Sequence, residues 1–136
     1  MTRYAFSLCC LLLLVLATVT CGSNRQLQTV TLNPTAADAH NFPNGQVSFA
    51  ATGAFSKPPS PVHLTGNDVS WCVGTSGGAC AGNIAVGATV DQNGVAQCMT
   101  GFSGTITVLA GTGGTTSMPD TGSQLKIFGA ATLTCP

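Results

Sequence analysis

Apolar residues recur at every second position in a series of short runs, and no run repeats at helical spacing. In "QVSFAATGAF" (46–55) the alternation sets Val47, Phe49 and Ala51 on one face and Ser48, Ala50 and Thr52 on the other. A period of two is that of a strand with one buried face. "LQTVTLNP" (27–34) places Val30 and Leu32 together and stops at a proline, which suits an edge-type ending. "DVSWCVG" (68–74) groups Val69, Trp71 and Val73, and "IAVGATV" (84–90) groups Ile84, Val86, Ala88 and Val90. "VAQCM" (95–99) reads as a returning strand, and "GTITVLAG" (104–111) turns Ile106 and Val108 inward. "SQLKIFGAATLTCP" (123–136) closes the series with Leu125, Ile127 and Leu133 in phase. The connections are rich in Gly, Pro and Asn. They comprise a crossover at 35–45, a proline-rich loop at 56–67, a glycine-rich loop at 75–83, the turn "DQNG" at 91–94 and a loop at 112–122. About seven short strands with turn signals at this spacing predict an antiparallel β-sandwich.

Composition points the same way once the first twenty residues are set aside. The remaining 116 of 136 residues carry Arg25, Lys57 and Lys126 against Asp38, Asp68, Asp91 and Asp120, a net charge of about −1, and contain no Glu. The helix-favouring Glu, Lys and Arg are nearly absent, while Thr, Val and Gly are plentiful. The length suits one domain with a core of its own. No basic stripe interleaved with aromatics exists, so nucleic acid is not an expected partner.

Residues 1–20 read as an export signal. Arg3 supplies a basic start, Leu8–Val19 an apolar stretch of twelve residues, and Ala17–Thr20 a small-residue exit. The last four positions before and at the cysteine are Thr18-Val19-Thr20-Cys21, followed by "GSNR". This junction resembles that of bacterial lipoproteins, whose lipobox ends in the acylated cysteine; Thr20 and Thr18 stand where that family has a small residue and Leu. The resemblance implies lipid attachment at Cys21, a tether at 21–26, a domain at 27–136 and a place in the cell envelope, anchored to a membrane. More than one acyl chain gives stable anchoring, each buried CH₂ adding about 0.8 kcal/mol. The alternative is a secreted, untethered chain.

Three segments together resemble the bacterial Ig-like domain of the group 2 type: "LQTVTLNP", "GQVSFAATGAF" with the following Trp71 strand, and "GATVDQNGVAQCMTGFSGTITV". The likeness covers roughly 27–111. It implies an Ig-like sandwich serving as an adhesion, carbohydrate-contact or scaffold module. Envelope polysaccharide or another protein would be the partner. The proline-rich loop and the four cysteines depart from the family pattern.

Cys72, Cys80, Cys98 and Cys135 form an even set in an exported domain, which favours two disulfides. Three connectivities are open. Cys72 follows Trp71, so its side chain should face the opposite side of the sheet, and outward if Trp71 is core. Its nearest partner in sequence is Cys80, leaving Cys98 for Cys135; that pairing is preferred.

Sites for chemistry are sparse. Gaps of 8, 18 and 37 residues between the cysteines do not suit zinc. "DQNG" lacks the glutamate of a calcium loop and reads as a turn with Gly94 at its left-handed position. His40 and His63 fall in loop sequences, no nucleophile elbow exists, and the four Asp are scattered. No catalytic residue, metal or cofactor is expected. Phe55, Phe102 and Phe128 are candidates for exposed aromatic contacts. In the secreted alternative, the partner surface would be an exposed sheet edge through which the chain self-associates or joins other proteins.

Overall fold

A computed structural model of the chain describes residues 24–81, 87–113 and 123–136. The signal at 1–20, Cys21, Ile84 and Val86, and the body of the 112–122 loop lie outside the described residues. Those residues form ten strands: β1 (Leu27–Asn33), β2 (Ala36–Asp38), β3 (Gln46–Ser48), β4 (Ala50–Phe55), β5 (Val62–Leu64), β6 (Ser70–Gly74), β7 (Ala88–Val90), β8 (Val95–Cys98), β9 (Gly104–Thr112) and β10 (Ile127–Cys135). Two short 3₁₀ turns, Ala39–Asn41 and Pro43–Gly45, are the only helical pieces among them. The architecture is an all-β sandwich.

One layer is the sheet β2-β10-β9-β6. The nine-residue strands β9 and β10 pair antiparallel from Ile127↔Thr112 to Cys135↔Gly104, and β2 joins β10 in parallel. The other layer holds β1-β4-β5 and β3-β8-β7. These two sets are stitched by the run 46–55, whose first half pairs with β8 and whose second half pairs with β1 and β5. Phe49 interrupts the run because its N–H is given to the Gly94 carbonyl at 2.9 Å. The outermost strands have three to seven residues, whereas the two longest lie inside their sheet. Short edges offer little length for strand-to-strand capture by another chain.

The alternation places the core as read. Val30, Leu32, Val47, Phe49, Ala51, Val69, Val73, Ile106, Val108 and Leu133 are buried in one cluster, and Trp71 packs half-buried against it. β2 and β5 arise inside segments that read as irregular. Each has three residues, too short for a periodic signal, and each exists only because a neighbour (β10 or β4) supplies the ladder.

Both disulfides form, Cys72–Cys80 and Cys98–Cys135, with Cα separations of 5.7 and 5.8 Å. One expectation is corrected. Cys72 does face away from Trp71, yet it is buried and does not meet solvent. Cys72, Cys80, Leu109 and Leu125 make a second apolar cluster on the outer face of the β9-β6 region, with Phe128 against it. The cover is the segment 74–81 and the start of the closing strand. Cys80 N–H donates to Ser123 O, Leu125 N–H to Gly78 O (both 2.9 Å), and Ala81 N–H to Val73 O at 2.8 Å. Leu125 therefore belongs to the outer cluster and Ile127 to the main core, out of phase with each other, because β10 starts only at Ile127. Phe128 is half-buried under this cover. Phe55 and Phe102 are half-buried against the main core, so none of the three is an open contact; among the described residues the exposed large apolar ones are Phe42 and Met99.

Candidate functional site

β5 and the β7–β8 turn meet end to end along the same side of the run 46–55. β5 pairs with 51–53 and β8 with 46–48, so Thr65-Gly66 abuts the turn 91–94. Contact is so close that a Cβ on Gly66 would overlap the Gln92 carbonyl oxygen. The junction leaves a recess of about 130 Å³, whose rim carries His63, Thr65, Gln92 and Asn93 and whose floor includes Phe49 and Trp71.

Each side of the recess is held by a turn that engages its carboxylate. Asp91 Oδ1 accepts the N–H groups of Asn93 and Val95, both at 2.8 Å. Asp91 N–H donates to Val95 O at 3.0 Å, and Gly94 N–H to Asp91 O at 3.1 Å. Gly94 takes φ +78, which only glycine adopts without strain. It also lies against the indole: a Cβ there would come 2.7 Å from Trp71 Cζ2. "DQNG" is thus the turn its sequence implies, and it positions Gln92 and Asn93 beside Trp71.

On the other side, Asp68 Oδ2 accepts Thr65 N–H at 2.9 Å and Thr65 Oγ1–H at 2.8 Å. These two bonds, backbone first, hold the Asp68 carboxyl below its ordinary value near 3.8; slight desolvation opposes them and the neighbouring His63 adds to them. His63 sits on β5 and not in an open loop, with its imidazole exposed beside the recess.

Both carboxylates are therefore occupied in shaping loops. What remains free on the rim is the amides of Gln92 and Asn93 and the His63 imidazole, all exposed. Such a set offers both donors and acceptors of hydrogen bonds. No group of three or more His, Cys, Asp or Glu that could hold a metal ion exists among the described residues. His40 lies elsewhere, on the 3₁₀ turn Ala39–Asn41, where its N–H donates to Asp38 Oδ1 at 2.9 Å. Neither histidine is brought to a cysteine thiol, since Cys72, Cys80, Cys98 and Cys135 are all oxidised. The sequence signalled the 91–94 turn and the Trp71 strand separately. Their convergence with β5 had no local signal, because β5 (Val62–Leu64) and the 91–94 turn are far apart in the sequence.

The residues just ahead of β1 are also docked, which the sequence reading assigned to a tether. Arg25 lies over the Phe55 ring at 3.7 Å from its centroid, and its guanidinium donates to the Pro59 carbonyl. Gln26 N–H donates to Ser56 Oγ at 3.0 Å, and Ser56 N–H to Gln26 O at 2.9 Å. Arg25, four positions after Cys21 in the sequence, is thus part of the folded unit.

No family model matches the chain, and no curated protein matches it either.

Proposed function

We propose that the chain is a non-enzymatic, lipid-anchored protein of a bacterial cell envelope, built on a single Ig-like domain of the group 2 type, and that its recess contacts neutral carbohydrate. The observation that carries the carbohydrate reading is the convergence of one indole with hydrogen-bonding rim groups, Trp71 with Gln92, Asn93 and His63. Sugars present an apolar face of C–H groups and a perimeter of hydroxyls. An aromatic floor matches the first and amides match the second. Asp68 and Asp91 each give one carboxylate oxygen to their own turns, and neither lines the recess.

On the anchored reading, the docked Arg25 and Gln26 follow the anchor by four and five residues. An anchor at Cys21 with so short a lead holds the domain close to a surface, where a polymer of that surface is the nearest ligand. Short edge strands weigh against self-association through a sheet edge.

Trp71 is the sole tryptophan, so its emission reports on the recess directly. Titration with peptidoglycan-derived disaccharides and neutral oligosaccharides is expected to change that emission saturably. The Q92A/N93A variant, altered only at exposed side chains, should bind at least about fivefold more weakly, the loss of two hydrogen-bonding groups at about 0.5–1.5 kcal/mol each. An unchanged emission up to millimolar sugar, or an equal response in the variant, would overturn the assignment.

A further inference from the structure

We infer that the end of the sandwich from which β1 departs is a docking face for the anionic headgroups of the membrane that carries the anchor. The inference rests on lipid attachment at Cys21 and adds to it an orientation and a lipid preference.

Three cations follow Cys21, and the topology gathers them at one end. Arg25 precedes β1 and is fixed over Phe55, where β4 ends. Lys57 is exposed two residues beyond Phe55, on the loop whose Ser56 is bonded to Gln26. Lys126 is exposed immediately before β10. β10 starts at the same end as β1, because the two run side by side in one direction: a Cβ on Gly129 would lie 2.7 Å from Val30 O, and further on Ala36 pairs with Thr132. Asp38 lies at the far end, opposite Thr134. Asp91 belongs to the turn beside Phe49, in the middle of the run 46–55, and Asp68 precedes β6, whose first residue Ser70 lies opposite Gly111. Asp120 falls on the 114–122 segment, outside the described residues. The three cations thus gather at one end, with Asp38 and Asp91 away from it and Asp68 the described aspartate nearest to it.

Chain length brings that end to the membrane. Four residue steps separate Cys21 from Arg25, and a fully extended chain covers at most about 14 Å in four steps. The far end is about 25 Å further along β10, given about 3.3 Å per strand residue. That is about three Debye lengths at physiological salt. An anionic surface therefore acts on Lys57 and Lys126 and not on His40, which follows β2 at the far end.

The test uses the native acylated protein, its mass confirmed, reconstituted into vesicles of phosphatidylcholine alone or with 30% phosphatidylglycerol. Lys57 and Lys126 are labelled with a membrane-impermeant amine reagent, and His40 with diethylpyrocarbonate, each rate read by peptide mass spectrometry. Anionic lipid should slow both lysines by about three- to sevenfold, the factor by which its surface potential enriches protons and keeps amines charged. His40 should react equally in both vesicles, and 1 M salt should abolish the difference. Equal lysine rates in the two vesicles, on protein of acylated mass, would overturn the docking face and leave the anchor standing. A mass without acyl groups would overturn both.

Discussion

The guanidinium of Arg25 lies 3.7 Å from the centroid of the Phe55 ring, which joins a residue two positions ahead of β1 to the last residue of β4. With the bond from Arg25 to the Pro59 carbonyl, this contact ties the segment ahead of β1 to the loop after β4. Replacing Arg25 by Ala should lower stability by about 1–2 kcal/mol, the sum of a partly shielded cation–π contact and one charge-assisted hydrogen bond. A double-mutant cycle with Phe55→Leu, followed by urea unfolding, measures the coupling. Additive effects of the two substitutions would show that the stack contributes nothing.

Gly66→Ala should act at the opposite end of β5. Its Cβ would meet the Gln92 carbonyl, part of the backbone of a hydrogen-bonded turn with little room to shift. Overpacking of this kind costs about 1–3 kcal/mol. The emission of Trp71 should shift as well, because the recess widens when the turn is pushed away. Gly45→Ala is the useful contrast: nothing lies near its Cβ position, so its cost is only that of its positive φ.

The two disulfides should differ in what their removal costs. Cys98–Cys135 closes a loop of 37 residues and Cys72–Cys80 one of 8. In the chain-entropy description these correspond to about 4 and about 2.5 kcal/mol. C98A/C135A is therefore expected to have the lower urea midpoint of the two double variants. The reverse order would mean that the cover over Leu109 and Leu125, which Cys72–Cys80 pins, matters more than loop closure.

Acid should loosen the loop that forms one wall of the recess. Asp68 titrates below its unfolded value because Thr65 bonds to its charged form. A depressed pKa contributes stability that is present above the unfolded value near 3.8 and is lost as pH falls through the folded value. Protection of the Thr65 amide against hydrogen exchange should therefore drop as pH is lowered below about 4, and Asp68→Asn should show a flatter dependence. An identical profile in the variant would rule out Asp68 as the group responsible.

The sequence is most readable where a strand alternates over six or more residues or a turn carries its own chemistry. The run 46–55 alternates cleanly, and its inward residues Val47, Phe49 and Ala51 are buried at 0, 2 and 0% exposure. "DQNG" contains both the carboxylate that closes its turn and the glycine that the turn needs. Cys72 shows where such reading ends. Alternation gives the face of the sheet correctly but carries no information on what lies over that face. The cover of 74–81 and 123–126 is held by backbone bonds between segments more than 40 residues apart, which no local pattern records. The recess escaped for a related reason. Trp71, Gln92 and His63 each have an ordinary local role, as strand, turn and edge residue, and only the abutment of β5 with the 91–94 turn places them together.

An envelope protein tethered at Cys21 with two disulfides has a mass that follows from its sequence and one modification. The most direct measurement is the intact mass of the native protein recovered from the membrane fraction, before and after reduction. The predicted result is the mass of residues 21–136 plus acyl groups, rising by about 4 Da on reduction, two hydrogens for each disulfide. A protein that begins elsewhere, or carries no acyl group, would contradict the anchored account.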